Sequence, residues 1–252
     1  MKNYNTEVFD SALKGSKYVA EKVKALIELN NTTGKKTVLG LATGSTPIVM
    51  YKELIRMHHE EGLSFQNVIT FNLDEYCPME PTSKDSYWYF MHENLFNHID
   101  VKPENVHVPK GTIADADVDQ YCNDYESQID AVGGLDIQIL GIGRTGHIGF
   151  NEPGSTEDSI TRQVTLNQIT LDDAAPSFGG VANVPTKAIT MGVATVLKAK
   201  TVYLMAYGAS KAEIVSETLT SDITSQVPAT FLQNHKNTIF VLDNEASSLL
   251  PV

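Results

Sequence analysis

Cysteine is scarce in this chain. Cys77 and Cys122 are the only two, they stand far apart, and neither belongs to a CxxC pair. That removes the paired-thiol metal and redox patterns; it fits a reduced compartment, with a single structural disulfide as the alternative. Histidine is present seven times, including the adjacent His58 and His59, yet no HxxxH or Cys/His cluster occurs. No metal is therefore expected. No stretch approaches the roughly 18 apolar residues of a membrane-spanning helix, and Met1 to Glu7 has no apolar signal core, so the chain is expected to be soluble and cytoplasmic. Positive charge is also in short supply, with 19 Lys and Arg against 31 Asp and Glu and a net charge of -12. Those cations are scattered, which disfavours a nucleic acid or an anionic membrane as partner. A small phosphate is not excluded, because backbone N–H groups and a few local cations set the field at such a site.

Linkers are missing as well. There is no Ser/Gly-rich or Pro-rich stretch, no long block of one charge, and no repeat of about 20 to 50 residues. A chain of 252 residues with 42% hydrophobic and 20% charged residues is long enough for one large core, and residues 1–252 are read as a single domain.

What is present alternates. Val19, Val23, Leu26 and Ile27 have helical spacing and predict a helix over 12–29 that ends before Asn30. Residues 37–42 read as an internal strand, 43–46 as its exit loop, and Pro47 as the first turn of a helix running towards His58. A second strand over 67–73 ends at Asp74-Glu75-Tyr76, with a helix over 83–96 behind it. A helix over 115–129 leads to a strand at 135–140, and further strands are predicted at 188–190, 201–206 and 238–242. This order predicts an α/β protein with a mostly parallel sheet covered by helices on both faces. In such folds ligands sit beyond the strand ends, where the unusual polar residues of this chain are found.

Four segments carry chemistry. Thr43-Gly44-Ser45-Thr46, between a strand and a helix, can offer backbone N–H groups and hydroxyls to a phosphate, although it is neither a Walker A sequence nor a GxGxxG fingerprint. An ordinary glycine turn with a helix cap is the alternative. Lys211, again after a strand, can add its charge to the same phosphate or simply solvate the surface. Asp74 closes a hydrophobic strand, where a carboxylate beside a dry pocket acquires a pKa suited to proton abstraction; solvation of a strand end is the plainer reading. The loop Gly141-Ile142-Gly143-Arg144-Thr145-Gly146-His147-Ile148-Gly149-Phe150-Asn151-Glu152-Pro153-Gly154 places a histidine and a carboxylate five residues apart in a glycine frame. His147 there can relay a proton or pack neutrally, and Glu152 can orient it or merely stabilise the loop.

Taken together, Leu39 to Pro47, Thr70 to Tyr76, the 141–154 loop and Ala188 to Val193 resemble the glucosamine-6-phosphate deaminase/isomerase family, with Gly-His-Ile-Gly-Phe-Asn-Glu-Pro as the most specific piece. The resemblance implies a Rossmann-like doubly wound fold and conversion of a small phosphorylated aminosugar, glucosamine 6-phosphate, to fructose 6-phosphate and ammonia, without organic cofactor or catalytic metal. It implies that the 43–46 loop and Lys211 hold the phosphate. His147 would assist ring opening with Glu152 oriented against it, and Asp74 would move the proton from C2 to C1. Activity is then expected to fall below roughly pH 6, because the carboxylates must be ionised.

This chain departs from the family pattern at three places. Thr145 stands where Asp or Asn is usual, so a hydroxyl replaces a group able to stabilise the imidazolium. Pro176 matches an arginine that clamps the phosphate, leaving Arg144 or Arg162 to replace it, and Arg162 matches an arginine tied to allosteric regulation. Val164 matches a regulatory lysine, so strong activation by acetylglucosamine 6-phosphate is not expected. Galactosamine 6-phosphate as substrate and a non-catalytic sugar-phosphate sensor are the alternative readings; a lactonase is disfavoured by Asn151-Glu152-Pro153. Both a monomer and a homo-oligomer fit the sequence.

Overall fold

The computed structural model describes residues 4–251. Seven strands form one fully parallel sheet in the order β1-β10-β9-β6-β2-β3-β5. They are β1 (Asn5–Phe9), β2 (Thr37–Leu41), β3 (Val68–Asn72), β5 (Val106–His107), β6 (Ile137–Leu140), β9 (Thr201–Ala206) and β10 (Thr238–Asp243). The chain builds outward from β2 through β3 to β5, then returns to the other side of β2 with β6. The strand order therefore reverses between β2 and β6, and in open α/β sheets that crevice is the place for a ligand.

Side chains alternate across this sheet as the pleat requires. Leu39, Leu41, Ile137, Ile139, Met205 and Val241 pack on one face with α1 (Ala12–Thr33), α2 (Ile48–Glu61) and α3 (Tyr87–Asn94). Val38, Phe71, Leu140, Val202, Leu204 and Phe240 pack on the other with α4 (Val118–Ala131), α6 (Val193–Leu197) and α7 (Ala212–Thr220). The inner strands β2, β3, β6, β9 and β10 are buried on both faces, which is why they read as near-continuous apolar runs.

The elements extend or trim the sequence reading in physically simple ways. Helix α1 runs on through Thr33 because its stop is Gly34, whose backbone at φ 69° takes the left-handed cap conformation. Helix α3 starts later than expected, at Tyr87, since the Ser86 side chain accepts the Tyr89 N–H as its N-cap. Strand β1 escaped the pattern because its alternation lies in a polar segment, NTEVF, at the sheet edge.

A larger difference lies just beyond β3. Asp74-Glu75-Tyr76 does not merely end a strand: after the single residue Leu73 the chain enters a new one, β4 (Asp74–Cys77). With β7 (Arg162–Thr165) and β8 (Lys187–Thr190) it forms a small antiparallel sheet in the order β4-β8-β7. The strand predicted at 188–190 thus belongs to this second layer, not to the parallel sheet. Its own apolar cluster contains Tyr76, Met79, Phe150, Leu166, Val184 and Ala188, and α5 (Gln168–Ala174) supplies Leu171 and Ala174 at its margin.

Candidate active site

A cavity of about 380 Å³ opens at the reversal of strand order. Thr43, Gly44, Ser45 and Thr46 line one wall, Gly141, Ile142, Gly143, His147 and Gly149 the opposite wall, and Asp74, Tyr87, Phe150 and Asp173 complete it. The expected phosphate loop, carboxylate and histidine thus come from three separate strand ends.

The loop after β2 is fixed at both ends. The Tyr51 hydroxyl, from α2, donates to the carbonyl of Ala42 at 2.6 Å, and Gly44 adopts φ 91°, a conformation that side-chain-bearing residues rarely take. Pro47 caps α2 with no side-chain hydrogen bond of its own.

Asp74 is buried at the first position of β4. Burial, and then the neighbouring Glu75 charge, push its carboxyl up to about 8. Gly149 approaches so closely that a Cβ there would lie 3.2 Å from Asp74 Oδ2. Glu75 points the other way and accepts N–H bonds from Tyr76, Tyr87 and Trp88, each at 3.0 Å. Its burial raises the carboxyl to about 7 against these three donors. Two of the donors belong to the first turn of α3, so Glu75 ties the small sheet to that helix and sets Tyr87 into the cavity wall.

His147 lies in a tight turn in which the Gly143 N–H donates to its carbonyl at 2.9 Å. Its Nδ1 is 3.0 Å from Thr145 Oγ1. Burial, followed by the charge of Lys211, lowers the imidazole to about 4, so the ring is neutral at pH 7. If Nδ1–H donates to the Thr145 hydroxyl, Nε2 keeps a free lone pair.

Lys211 donates from Nζ to the Ile142 carbonyl at 2.8 Å, and burial lowers its pKa. The turn that carries it is held by Asp243, whose two carboxylate oxygens both lie 3.0 Å from the Gly208 nitrogen, and by Glu245, which accepts the Ala209 N–H.

Glu152 corrects the sequence reading. Its Oε2 accepts the Asn167 N–H at 2.8 Å, while Oε1 is buried without a partner, and no hydrogen bond joins it to His147. The reason is local: the Asn151 N–H bonds back to the Ile148 carbonyl at 3.1 Å, and this reversal carries Glu152 to the far side of the loop. There it lines a neighbouring cavity of about 400 Å³ together with Arg162, whose guanidinium donates to Asn151 Oδ1 at 2.9 Å and to Ser155 Oγ at 3.1 Å. Of the two arginines considered as phosphate ligands, Arg162 is thereby committed to this second cavity. Arg144 instead pairs with Asp173 at the rim of the first.

Tyr87 and Asp173 were not singled out from sequence. A tyrosine opening a helix and an acid ending one look like ordinary capping and surface residues. Only the Glu75 contact and the position of α5 bring them to the cavity.

The fold and the motifs have known counterparts. Residues 10–241 match the family model for glucosamine-6-phosphate isomerases/6-phosphogluconolactonase. The chain is 49% identical over 236 residues to the glucosamine-6-phosphate deaminase of Thermoanaerobacter sp. (strain X514), covering 94% of this chain and 91% of that protein. It is 46% identical over 235 residues to the glucosamine-6-phosphate deaminase of Clostridioides difficile (strain 630), with 93% and 92% covered. A solved monomeric glucosamine-6-phosphate deaminase superposes with a TM-score of 0.93 at 41% identity, over 98% of this chain and 100% of that one. The 6-phosphogluconolactonase of Trypanosoma brucei superposes with a TM-score of 0.80 over all of both chains, but at 21% identity the likeness is one of fold.

Proposed function

The chain belongs to the glucosamine-6-phosphate isomerase/6-phosphogluconolactonase family, and we propose that it converts glucosamine 6-phosphate and water to fructose 6-phosphate and ammonia. The observation that supports this most directly is the convergence of the 43–46 loop, Asp74 and His147 on one cavity at the reversal of strand order. Relatives named as deaminases at 41–49% identity, against about a fifth for the lactonase, favour deamination over lactone hydrolysis.

In this reading the phosphate is held by the N–H groups and hydroxyls of Thr43 to Thr46, with Lys211 adding charge. That anchorage orients the rest of the sugar. Neutral His147 accepts the proton of the O1 hydroxyl and delivers it to the ring oxygen O5, which opens the ring. Thr145 holds the imidazole by a hydrogen bond alone, without a formal charge. The open form is an aldehyde, so the C2 proton is acidified by the adjacent carbonyl. Asp74, as carboxylate, removes it; the electrons form a C1=C2 enolamine, and O1 takes up the proton given up by the C2 ammonium. Return of the proton to C1 leaves an imine at C2; water adds to that carbon and ammonia departs.

Asp74 must be ionised to act, and its elevated pKa, from burial and the Glu75 charge, moves the expected acid limb from roughly pH 6 to about 8. A substrate ammonium at C2 would lower it again by charge attraction. Glu152 has no direct part in ring opening here; its hydrogen bond to Asn167 steadies the segment that leads into α5. A phosphorylated substrate and two free, buried thiols suit a cytoplasmic setting, and among the described residues no helix is long and apolar enough to cross a membrane.

Ammonia release measured with glucosamine 6-phosphate and galactosamine 6-phosphate, with hydrolysis of 6-phosphogluconolactone as a control, tests the proposal. Turnover of the first with the best kcat/KM supports it. Preference for the second would reassign the substrate, and binding without ammonia from either would indicate a sensor.

A further inference from the structure

The Arg144 guanidinium and the Asp173 carboxylate meet at the rim of the cavity, with Nη2 2.9 Å from Oδ1 and side chains 63% and 46% exposed. Arg144 belongs to the loop after β6, between Gly143, which lines the cavity, and Thr145, which holds His147. Asp173 stands near the end of α5 and itself lines the cavity. The pair therefore bridges the loop that carries the histidine and the helix on the opposite rim. An exposed ion pair of this kind adds little to stability. Its placement is the informative property.

Lys211 is the second cation here, with its Nζ on the carbonyl of Ile142, another lining residue. The Asp173 charge reaches both Lys211 and His147 and favours their protonated forms. Asp173 thus acts on two cations, Arg144 by direct contact and Lys211 through its charge, and on a neutral imidazole.

We propose that Arg144 is a phosphate-binding residue of this site, and that Asp173 holds its guanidinium in reserve until a phosphorylated ligand displaces the carboxylate. This rests on the reading of the cavity as a sugar-phosphate site. A guanidinium fork fits phosphate as well as carboxylate, and a phosphate dianion brings twice the charge and three acceptor oxygens. Arg144 exchanges one oxyanion for the other with only a movement of its exposed side chain. Asp173, left beside a like charge, opposes binding, so the carboxylate sets the affinity that the arginine supplies.

The two residues thus have opposite signs of effect, which mere structural support would not produce. Calorimetric titration with inorganic phosphate and steady-state kinetics with glucosamine 6-phosphate would be run on the parent protein, Arg144→Ala, Arg144→Lys and Asp173→Asn. Arg144→Ala is expected to weaken phosphate binding and raise KM about tenfold with kcat within about twofold, a loss typical of a charge-assisted contact. Arg144→Lys recovers part of that loss, and Asp173→Asn tightens phosphate binding and lowers KM about threefold. Unchanged phosphate affinity in Arg144→Ala, or weakened affinity in Asp173→Asn, overturns the proposal. Phosphate affinities that shift as stated in a protein releasing no ammonia uphold it and overturn the assigned reaction instead.

Discussion

The imidazole of His147 fills the space that any side chain on Gly143 would need: a Cβ on that glycine would come within 2.0 Å of ring atoms Cε1 and Nε2. The same two residues close the turn through the Gly143 N–H and the His147 carbonyl. Backbone on one side and the Thr145 hydroxyl on the other fix the ring without any charged partner.

Gly143→Ala should therefore displace the ring rather than unfold the chain. A loss of about 100-fold in kcat is expected, the scale associated with misplacing a reacting group by about an ångström. Circular dichroism should stay that of the parent. A kcat within threefold of the parent would mean that the ring position does not depend on this contact.

Asp74→Asn should abolish ammonia release and yet make the protein more stable at high pH. The folded-state value of about 8 lies above the ordinary 3.8, so the native state retains a proton that the unfolded chain gives up. Stability from this group is greatest below the unfolded value and is lost as pH rises through about 8. The amide has no such loss. Thermal melts at pH 6 and pH 9 should show the Tm advantage of Asp74→Asn growing with pH; a constant or shrinking difference would contradict a buried, costly carboxylate.

The pH profile of kcat/KM should rise with a limb near 8, reporting Asp74 in the free enzyme, and a 13C titration of that carboxyl should give the same value. With His147 lowered to about 4, no imidazole limb is expected between pH 5 and 7. Glu75→Gln removes the adjacent charge and should move the Asp74 limb downward. An unmoved limb would assign the whole elevation to burial.

Thr145→Asp should return a negative charge to His147 Nδ1 and draw the imidazole up from about 4 towards its ordinary 6.5. Proton NMR of the ring measures this directly. Thr145→Val, which keeps the shape and removes the hydroxyl, should lower kcat about tenfold while leaving KM nearly unchanged, because the ring loses its orientation and not its place.

Much of this architecture was legible in the residues. The runs Thr37 to Leu41, Ile137 to Leu140, Thr201 to Ala206 and Thr238 to Asp243 are apolar because both faces of their sheet are covered. The glycines of the 141–149 loop signalled close approach, and Gly143 and Gly149 show what they approach: the His147 ring and the Asp74 carboxylate. The small sheet was not legible. A strand that changes layer after one residue leaves no trace in periodicity, and the close approach of Gly111 beneath it, where a Cβ would lie 2.4 Å from the Tyr76 carbonyl oxygen, is a contact between distant segments. The same limit applies to Glu152. Five residues of separation suggested a partner for His147, but the turn at Ile148 to Asn151 reverses the direction in which the side chain leaves the loop.

The change of layer at Leu73 has a mechanical meaning. The 43–46 loop is anchored in the large sheet, whereas Asp74 belongs to the small one, held through Thr190 opposite it and by the Met191 N–H on the Leu73 carbonyl. Because the small sheet has an apolar cluster of its own, it can fluctuate as a unit while the seven-stranded layer stays intact. Local opening of that unit would carry the Asp74 carboxylate away from the 43–46 loop. The molecule would then fall silent well before it melts, and the temperature at which catalysis stops would record the small layer, not the fold as a whole.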